Sequence, residues 1–410
     1  MRKETKPFHV LLRSSWQTVN IGDISHTPGM LAAIERTLPD AQVTLWPCDL
    51  SRGVEGMLKK RFPHLMIVRG GRDDLDDPAS ELSRAFAASD LMLHGSGPSI
   101  ITPEDLTAWS QRTLKPYGML GVTLNQIPEA IVPVLDDAMF VFCRDTISVT
   151  RAQQASLQTP VVEFGPDAAF ACDLANDRGA DTLLKDVGLD CQPFVVVIPR
   201  MRYTPYHTIH DYSPGDQDRQ RIQVSERHLD SDMQLLADYI EKITLENNLD
   251  VIIAPEMTYQ IEMSSRHLIP RLSKNCRRRV RTVDEYWPLD VACSVYERAS
   301  LVVSMEMHSP ILSVARGTPA ILIRQPTDTC KGQMWRDVGL AQWMFEIDET
   351  QADALVLTTR QILSEPNDTM RRVASANRYT GRCLDQCLKQ VAACAMGSAV
   401  TDKGTSIHKG

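Results

Sequence analysis

Residues 301–340 constrain the fold more than any other part of the chain. They read as a buried strand, a loop, a helix, a second buried strand and a polar loop. Two apolar strands joined through a helix are typical of a parallel sheet, because parallel neighbours need a crossover connection. His308 lies where the first strand ends, and Arg324 and Lys331 follow the second. We therefore expect a titratable ring and two cations at the carboxyl ends of adjacent strands, where open α/β sheets bind their ligands.

The same alternation of apolar strands and helices runs along the rest of the chain. Strands separated by helical segments predict an α/β fold with parallel sheets, wound right-handedly. We predict two Rossmann-like doubly wound domains that face each other across a cleft. The predicted strands are 9–13, 40–46, 91–94, 118–124, 139–143 and 161–164 in the first half, and 194–198, 251–254, 280–283, 301–304 and 320–323 in the second. The main predicted helices are 30–38, 81–88, 231–247 and 288–299.

The length of the chain also indicates two domains. A chain of 410 residues exceeds one ordinary hydrophobic core and suits two α/β domains. We predict an N-terminal Rossmann-like domain at residues 1–175 and a C-terminal one at 190–395. The tail at 397–410 is small and polar, and we expect it to be flexible.

Composition narrows the choice of partners. The net charge of −8 argues against nucleic acid or an acidic membrane as partner, so an anionic substrate would need a local basic pocket. Ten cysteines without a C-x-x-C pair indicate a reduced, cytoplasmic protein. The chain shows neither a signal-peptide pattern at its start nor an apolar stretch of transmembrane length. The oligomeric state is not indicated by the sequence.

The first candidate site is the N-I-G-D segment that contains Asn20, Gly22 and Asp23. Gly22 would let the backbone pass close to a ligand, and Asp23 could bind a sugar hydroxyl or act as a base. The same residue types also suit an ordinary turn and helix cap, and taken alone the segment favours that interpretation.

Two further candidates lie after strands of the first half. Gly95, Ser96 and Gly97 suit an anion or a hydroxyl ligand, and they suit a tight strand-to-helix turn equally well. The chain has no G-x-G-x-x-G fingerprint and no P-loop, which argues against dinucleotide binding. Arg144 and Asp145 end a buried strand, where a pairing that braces the domain is favoured over a substrate contact.

The second half offers cations and a histidine. Arg200 directly follows an apolar strand, and arginine binds carboxylate or phosphate bidentately, although interdomain salt bridging is the alternative. His308 could exchange a proton near neutral pH, and the helix after it has Pro310 in its first turn and amides that favour an anion. A packed histidine is the alternative, but Arg324, Lys331 and the helix start favour a functional role.

Taken in order, these segments resemble the polysaccharide pyruvyl transferase family. Each motif is degenerate, and the specificity lies in their order and spacing over almost the whole chain up to residue 340. The motifs are N-x-G-D at 20–23, the glycine turn at 95–97, R-D-x-x-S at 144–148, P-D at 166–167, Arg200, S-x-x-x-H at 304–308, G-T-P at 317–319, Lys331 and G-L at 339–340.

The resemblance implies a fold similar to the two-domain GT-B glycosyltransferases. It also implies a transferase that moves the enolpyruvyl group of phosphoenolpyruvate onto a saccharide or carrier-linked saccharide, giving a pyruvate ketal. His308 and Asp23 would be catalytic, and no cofactor or metal would be required. The donor would be held by Arg200, Arg324 and Lys331, and the acceptor would face Asn20, Gly22, Gly95, Ser96 and Gly97.

One position departs from the family pattern. The family usually carries an arginine two residues before the motif histidine, and here that position is Glu306. Replacing arginine by glutamate changes the local charge by about two units. Hydrogen bonds to a charged group are each worth roughly 1.5–3 kcal/mol, so the exchange would weaken the binding of an anionic donor. Arg324 could supply the missing charge, or Glu306 could pair with Arg324 or Arg200. Alternatively the protein is a glycan-related transferase with a changed donor, or a non-catalytic saccharide-binding protein on the same fold.

Overall fold

The computed structural model describes residues 8–190 and 192–396. The predicted flexible tail at 397–410 lies outside these residues. Within them the chain forms two parallel β-sheets flanked by helices, which confirms the predicted α/β architecture of two domains.

The first sheet has seven parallel strands in the order β3-β2-β1-β4-β5-β6-β7. Its central strand β1 is buried along its whole length and pairs with β2 on one side and β4 on the other. The order reverses between β1 and β4, so the carboxyl ends of these two strands flank the switch point where such sheets bind ligands. The strands are β1 (His9–Ser14), β2 (Gln42–Pro47), β3 (Met66–Ile67), β4 (Leu91–His94), β5 (Tyr117–Val122), β6 (Phe140–Cys143) and β7 (Val161–Phe164).

The second sheet has six parallel strands in the order β10-β9-β8-β11-β12-β13. The strand order reverses between β8 and β11, so the carboxyl ends of these two strands flank the corresponding switch point. The strands are β8 (Phe194–Ile198), β9 (Asp250–Ile253), β10 (Val280–Thr282), β11 (Leu301–Ser304), β12 (Ala320–Arg324) and β13 (Met344–Glu346).

Sixteen α-helices are present in the described residues. Those that connect the strands of the first sheet and lead to the second are α1 (Ile21–Thr37), α2 (Val54–Arg61), α3 (Glu81–Ala88), α4 (Pro103–Thr113), α5 (Val132–Asp137), α6 (Thr146–Gln154) and α7 (Asp177–Asp186). The others are α8 (Tyr206–Ile209), α9 (Asp216–Leu245), α10 (Gln260–Met263), α11 (Lys274–Arg277), α12 (Leu289–Arg298), α13 (His308–Ala315), α14 (Gln333–Asp337), α15 (Ala352–Ser364) and α16 (Pro366–Ala395).

The first helix departs from the prediction. We expected a loop up to Gly29, because proline and glycine usually interrupt helices. Helix α1 instead begins at Ile21 and contains Pro28. Its first fourteen residues are all buried, so tertiary packing overrides the local preference. Gly29 lies against the backbone of Ala168, where a Cβ would come within 1.9 Å of the Ala168 carbonyl oxygen.

Other differences concern bounds and short edge strands. Helix α9 begins at Asp216, well before the predicted start at 231, and the loop before it contains α8. Strands β3 and β13 were not predicted, whereas β10, which is also short and at a sheet edge, was. Each completes one sheet at its edge.

The two halves of the chain are joined at several places. The backbone amide of Ile21 donates to the carbonyl of Glu256 at 3.0 Å, and that of Thr258 donates to the carbonyl of Val19 at 3.2 Å. The last helix, α16, returns to the first half and packs on α1, where Arg36 pairs with Asp385 at 2.7 Å. None of the helices in the described residues is long and apolar enough to cross a membrane.

Candidate functional site

The site is centred on His308, the first residue of α13, just beyond the end of β11. Its side chain reaches from the second sheet to groups of the first. Its Nε2 lies 3.0 Å from Nε2 of His26 and 3.7 Å from Oδ2 of Asp167, while its Nδ1 lies 3.5 Å from Oε1 of Glu256. The residue is only 8% exposed. His308 is thus enclosed by two carboxylates and a second imidazole.

Asp167 is the buried anion on the first-domain side. It follows β7 in the P-D motif, and Oδ1 accepts a hydrogen bond from the amide of Ala169 at 2.9 Å. Its Oδ2 accepts one from Nη1 of Arg144 at 2.6 Å and lies 3.3 Å from Nε2 of His26. Burial alone would raise the pKa of Asp167, but His26, His308 and Arg144 together hold it well below its usual range. Asp167 therefore remains a carboxylate.

Glu256 is the buried anion on the second-domain side, three residues beyond the end of β9. Its Oε2 accepts hydrogen bonds from the amide and the hydroxyl of Ser309, each at 2.7 Å. Burial would raise the pKa of Glu256, but the nearby His308 and the bonds from Ser309 lower it. Its Oε1 has no hydrogen-bond partner in the described residues, and it is the oxygen that faces His308.

These two carboxylates set the protonation of His308. Burial alone would lower the pKa of the imidazole, since it disfavours the charged form. Hydrogen bonds to Asp167 and Glu256, together with their charges, outweigh burial and raise the pKa to about 9. His308 is consequently an imidazolium at neutral pH, with the charge to act as an acid.

His26 lies within hydrogen-bond distance of both His308 and Asp167. Because its Nε2 lies 3.0 Å from Nε2 of His308, one proton has to lie between the two nitrogens. If His308 donates that proton, His26 accepts it and carries its own proton on Nδ1. That atom has no partner in the part of the chain that the structure describes. His26 thus contacts both His308 and Asp167 through the same nitrogen.

The N-I-G-D segment lies directly against this cluster. Asn20 caps α1, its Oδ1 accepting from the amide of Gly22 at 2.6 Å. Gly22 packs on the His308 ring, and a Cβ at Gly22 would come within 2.4 Å of His308 Nδ1. Oδ2 of Asp23 accepts a hydrogen bond from the side-chain nitrogen Nε2 of Gln17. The same Nε2 lies 3.4 Å from the hydroxyl of Tyr206 in the second half. Asn20 thus caps the helix, and Gly22 contacts His308 of the second half. Asp23 faces the polar contact of Gln17 with Tyr206 between the domains.

A second cluster of charges surrounds Arg200, which follows β8. Its guanidinium pairs with Asp328, and its Nε lies 3.3 Å from Oε2 of Glu306. Burial would lower the pKa of Arg200, but Asp328 and Glu306 raise it. Lys331 pairs with the same Asp328, with Nζ 3.4 Å from Oδ1. Two of the three predicted donor-binding cations, Arg200 and Lys331, are therefore paired with acids of the protein itself.

Glu306 links the two clusters. Its Oε1 accepts a hydrogen bond from Nε2 of Gln260 at 3.0 Å, and Oε1 of Gln260 accepts from the backbone amide of Glu256. Burial raises the pKa of Glu306, Arg200 counteracts this and Glu256 adds to it, giving a value of about 7. Of the alternatives considered for Glu306, the structure shows pairing with Arg200. Its carboxyl can exchange a proton near neutral pH.

Arg324 has a different environment. Its Nη1 donates to Oε2 of Glu346 at 2.6 Å, and its Nη2 donates to the carbonyl of Thr329 at 3.2 Å. A Cβ on Gly332 would collide with the Arg324 side chain, so this side chain packs against the loop that follows β12. Arg324 is therefore bonded to Glu346 of β13 and to this loop. The cation beside Glu306 is Arg200.

The remaining predicted residues brace the first domain. Ser96 Oγ accepts from the amide of Ala168 at 3.0 Å, and the backbone of Gly97 exchanges hydrogen bonds with Gly121 and Thr123. Gly95 packs against Ser14. The expected pairing of Arg144 with Asp145 is wrong, because the Arg144 guanidinium is bonded to Asp167 and Thr123. Asp145 instead caps α6 through the amide of Ser148.

The cluster of His26, Asp167 and His308 also resembles a metal site in its spacing. One ligand atom from each lies within 4.8 Å of the others. However, Oδ2 of Asp167 is bonded to the guanidinium of Arg144, which places a positive charge beside any cation at that oxygen. Proton sharing between the two imidazoles therefore fits this donor set better than a cation does.

Sequence reasoning missed several members of the site. His26 was assigned to a loop, and Glu256 and Gln260 were not considered. A signal for Glu256 did exist, because P-E directly follows the apolar run of β9, as P-D follows that of β7. An acid at the carboxyl end of a buried parallel strand points toward the ligand edge of the sheet.

Comparisons with solved structures place the fold among two-domain GT-B-like glycosyltransferases and epimerases. Anabaena HepE in complex with UDP and glucose is 12% identical, with 94% of this chain and 99% of that chain covered and a TM-score of 0.56. The S. aureus MnaA–UDP structure is 10% identical over 98% and 100%, with a TM-score of 0.61. UDP-GlcNAc 2-epimerase from Neisseria meningitidis is 10% identical over 94% and 100%, with a TM-score of 0.57.

Within that fold class the sequence itself identifies the family. The profile of the polysaccharide pyruvyl transferases matches residues 20–325. The chain belongs to the polysaccharide pyruvyl transferase family, and the suspected resemblance is confirmed. A search of curated proteins finds no significant match.

Proposed function

We propose that this transferase moves a pyruvyl group from phosphoenolpyruvate onto two hydroxyls of a saccharide, with His308 as the acid. The observation that carries the proposal is the His308 imidazolium, held between Glu256 and Asp167 at the junction of the two sheets. A proton donor that remains charged at neutral pH is what an enol ether needs for activation at its methylene carbon. Family membership supports the reaction class.

The chemistry balances without a cofactor. His308 gives a proton to the methylene carbon of the donor, which becomes a methyl group and leaves a positive centre at the neighbouring carbon. A saccharide hydroxyl oxygen attacks that carbon and loses its proton. Inorganic phosphate then leaves, and a second hydroxyl oxygen of the same sugar closes the ketal and loses its proton. Donor and diol become ketal and hydrogen phosphate: one hydroxyl proton restores His308, and the other leaves with the phosphate.

Arg200 and Lys331 are the cations we assign to the donor. Both lie near Asp328, and Arg200 also lies beside Glu306. An anionic donor has to compete with these carboxylates for the same guanidinium. Because the pKa of Glu306 is about 7, the carboxyl can take up a proton and release Arg200 at little cost near neutral pH. Glu306 then acts as a proton-dependent competitor of the donor.

Asp23 is the group we assign to the acceptor. It lies in the first turn of α1, one residue beyond Gly22, and its carboxylate is held by Gln17 at the seam with Tyr206. A carboxylate in this position can accept a proton from an attacking hydroxyl. Asn20, Gly95, Ser96 and Gly97 support the first-domain wall through the backbone contacts described above.

A second candidate is a glycan-related transferase with a different donor. The observation in its favour is that Arg200 and Lys331 are both paired with acids, and Arg324 is bonded to Glu346. A donor with less negative charge than phosphoenolpyruvate would not need to displace Glu306. His308 could serve such a donor as the same acid.

Titration calorimetry with phosphoenolpyruvate separates the two candidates. We expect saturable binding to the wild type, tighter binding to Glu306→Gln and tighter still to Glu306→Arg. The exposed variant Glu297→Gln, which disturbs only an ion pair with Arg316, is the matched control. If only Glu306→Arg binds phosphoenolpyruvate, the donor has changed in the natural protein. If folded wild type and both Glu306 variants fail to bind at millimolar ligand, the donor assignment is wrong.

A further inference from the structure

A pocket of about 410 Å³ lies between the two domains, apart from the cluster around Arg200. Helix α6 forms its wall in the first domain, and the loop after β12, with α14 and the end of β13, forms its wall in the second. Cys330 and Gly332 of that loop line the pocket, whereas Lys331 between them pairs with Asp328, the partner of Arg200. The lining side chains that matter for its chemistry are Asn125, Arg151, Arg324, Cys330, Arg336 and Glu346.

The charge of this pocket is opposite in sign to that of the whole protein. The chain carries a net charge of −8, yet the titratable side chains that line the pocket are three arginines, one cysteine and one glutamate. Burial raises the pKa of the Cys330 thiol, so the thiol is uncharged at neutral pH. The lining therefore carries two more positive charges than negative ones.

Arg151 supplies the surplus charge on the wall of the first domain. Its half-buried guanidinium donates through Nη1 to Oδ1 of Asn125 at 3.1 Å and to Sγ of Cys330 at 3.3 Å. Both acceptors are uncharged, and within residues 8–190 and 192–396 no carboxylate lies within ion-pair distance of Arg151. Arginine cannot lose its proton in a protein, so this charge is left for an anion from outside the chain.

Arg324 and Arg336 supply the surplus charge on the wall of the second domain. Both pair with Glu346: Nη1 of Arg324 donates to Oε2 at 2.6 Å, and Nη2 of Arg336 lies 3.7 Å from Oε1. One carboxylate offsets one guanidinium, so one positive charge remains. Arg324 is also fixed in position, because its Nη2 donates to the carbonyl of Thr329 and its side chain packs on Gly332.

The two walls are held against each other across the domain boundary. Asp337 of α14 accepts hydrogen bonds from the amide and the hydroxyl of Thr146, the first residue of α6, at 2.9 and 2.8 Å. Arg151 lies on the same helix as Thr146, and Arg336 on the same helix as Asp337. The arginines of both domains therefore border one shared space.

We propose that this pocket binds a diphosphate group, either free or esterified. Guanidinium groups bind phosphate oxygens bidentately. The surplus charge is divided between the walls, with one on Arg151 and one shared by Arg324 and Arg336. A diphosphate has two linked phosphoryl groups and meets both walls at once, whereas a single phosphate or carboxylate would satisfy one of them. The inference goes beyond the proposed transfer, because it does not depend on the identity of the donor.

Titration calorimetry of the full-length protein with inorganic pyrophosphate and with ADP-glucose, in the absence of divalent cations, tests the inference. At low ionic strength at least one of the two should bind saturably, and added salt should weaken the binding. The double variant Arg151→Gln, Arg336→Gln should bind about tenfold or more weakly, because it loses charge-assisted contacts. The control variant Arg219→Gln, Arg360→Gln loses the same net charge outside the pocket and should bind as the wild type does.

A change of opposite sign is expected at Glu346. Glu346→Gln removes the carboxylate that competes for Arg324 and Arg336 and keeps a side chain of the same size. Pyrophosphate should bind this variant about fivefold more tightly, as expected for the loss of one opposing charge at a partly exposed site. The exposed acid Glu349 is the control, and Glu349→Gln should leave the affinity unchanged.

Three results would overturn the diphosphate site: neither ligand binds, the wild type and the Arg151→Gln, Arg336→Gln variant bind alike, or inorganic phosphate binds as tightly as pyrophosphate. Loss of phosphoenolpyruvate binding in the same variant would assign the pocket to the donor and would also overturn it. Tighter binding of ADP-glucose than of pyrophosphate supports an esterified diphosphate, and the reverse order supports a free one. Arg336→Gln alone, at an exposed position, repeats the test with a smaller loss if the double variant does not fold.

Discussion

Gly22 of the first domain and His308 of the second pack so closely that a Cβ on Gly22 would lie 2.4 Å from His308 Nδ1. No side chain larger than hydrogen fits at residue 22 unless the imidazole moves. The glycine of the N-I-G-D segment is therefore needed for the close approach of the His308 ring.

Gly22→Ala should reduce the rate of transfer by about 100-fold, the usual cost of displacing a reacting group by an ångström. The added methyl group pushes the His308 ring away from Glu256 and Asp167. The rate of phosphate release and the NMR signals of the His308 ring measure the effect. Gly381→Ala, within α16 and with no neighbour near its Cβ, is the control and should leave both unchanged. Wild-type activity in Gly22→Ala would refute the steric argument.

The stability of the fold should depend on the charge of His308. Its pKa is about 9 in the folded protein, above the ordinary value of 6.5. The stabilisation is therefore complete below pH 6.5 and is lost as the pH rises through about 9, amounting to a few kcal/mol. Chemical denaturation across this range should show the loss in the wild type and a flatter curve in His308→Gln. The exposed His64→Gln is the control, and equal slopes in all three proteins would contradict the assignment.

Donor binding should depend on the protonation of Glu306. Because its pKa is about 7 and its carboxylate competes for Arg200, the protonated form leaves the guanidinium to the donor. The affinity for phosphoenolpyruvate should therefore increase as the pH falls from 8 to 7, by up to about tenfold. Glu306→Gln should bind with little change over the same interval. A wild-type affinity that is constant from pH 8 to 7 would argue against competition by Glu306.

Asp167→Asn should destabilise the protein by about 3–5 kcal/mol, the usual cost of removing one partner from a buried ion pair. The change leaves the Arg144 guanidinium without its carboxylate and removes one of two anions from His308. The free energy of unfolding should decrease, and the pKa of His308, followed by NMR, should decrease as well. Asp145→Asn keeps a side-chain oxygen that can cap α6 in the same domain and should lower stability by less, with no change in that pKa.

Much of the fold was predictable because its strands are buried on both faces. Continuous apolar runs at 91–94, 194–198 and 301–304 coincide with β4, β8 and β11 to the residue. Such runs stand out in a sequence, whereas the edge strands β3 and β13 are short and half exposed.

The composition of the site was only partly predictable. His308, Asp23 and Arg200 follow from their positions at or after strand ends. His26 does not, because it lies 282 residues from the ring it contacts. It also lies in helix α1, which we predicted as a loop because of Pro28. Which acids neutralise Arg200 also depends on packing between distant loops, since Asp328 lies 128 residues away.

The imidazole of His308 has its partners in two different domains, with Glu256 in its own and His26 and Asp167 in the other. Any widening of the cleft moves Asp167 away from His308 and so lowers the pKa of the His308 ring. By linkage, protons favour the closed arrangement over the open one. Closure of the two halves around the substrates therefore keeps the His308 ring protonated at neutral pH, so that a proton is available when the substrates are in place.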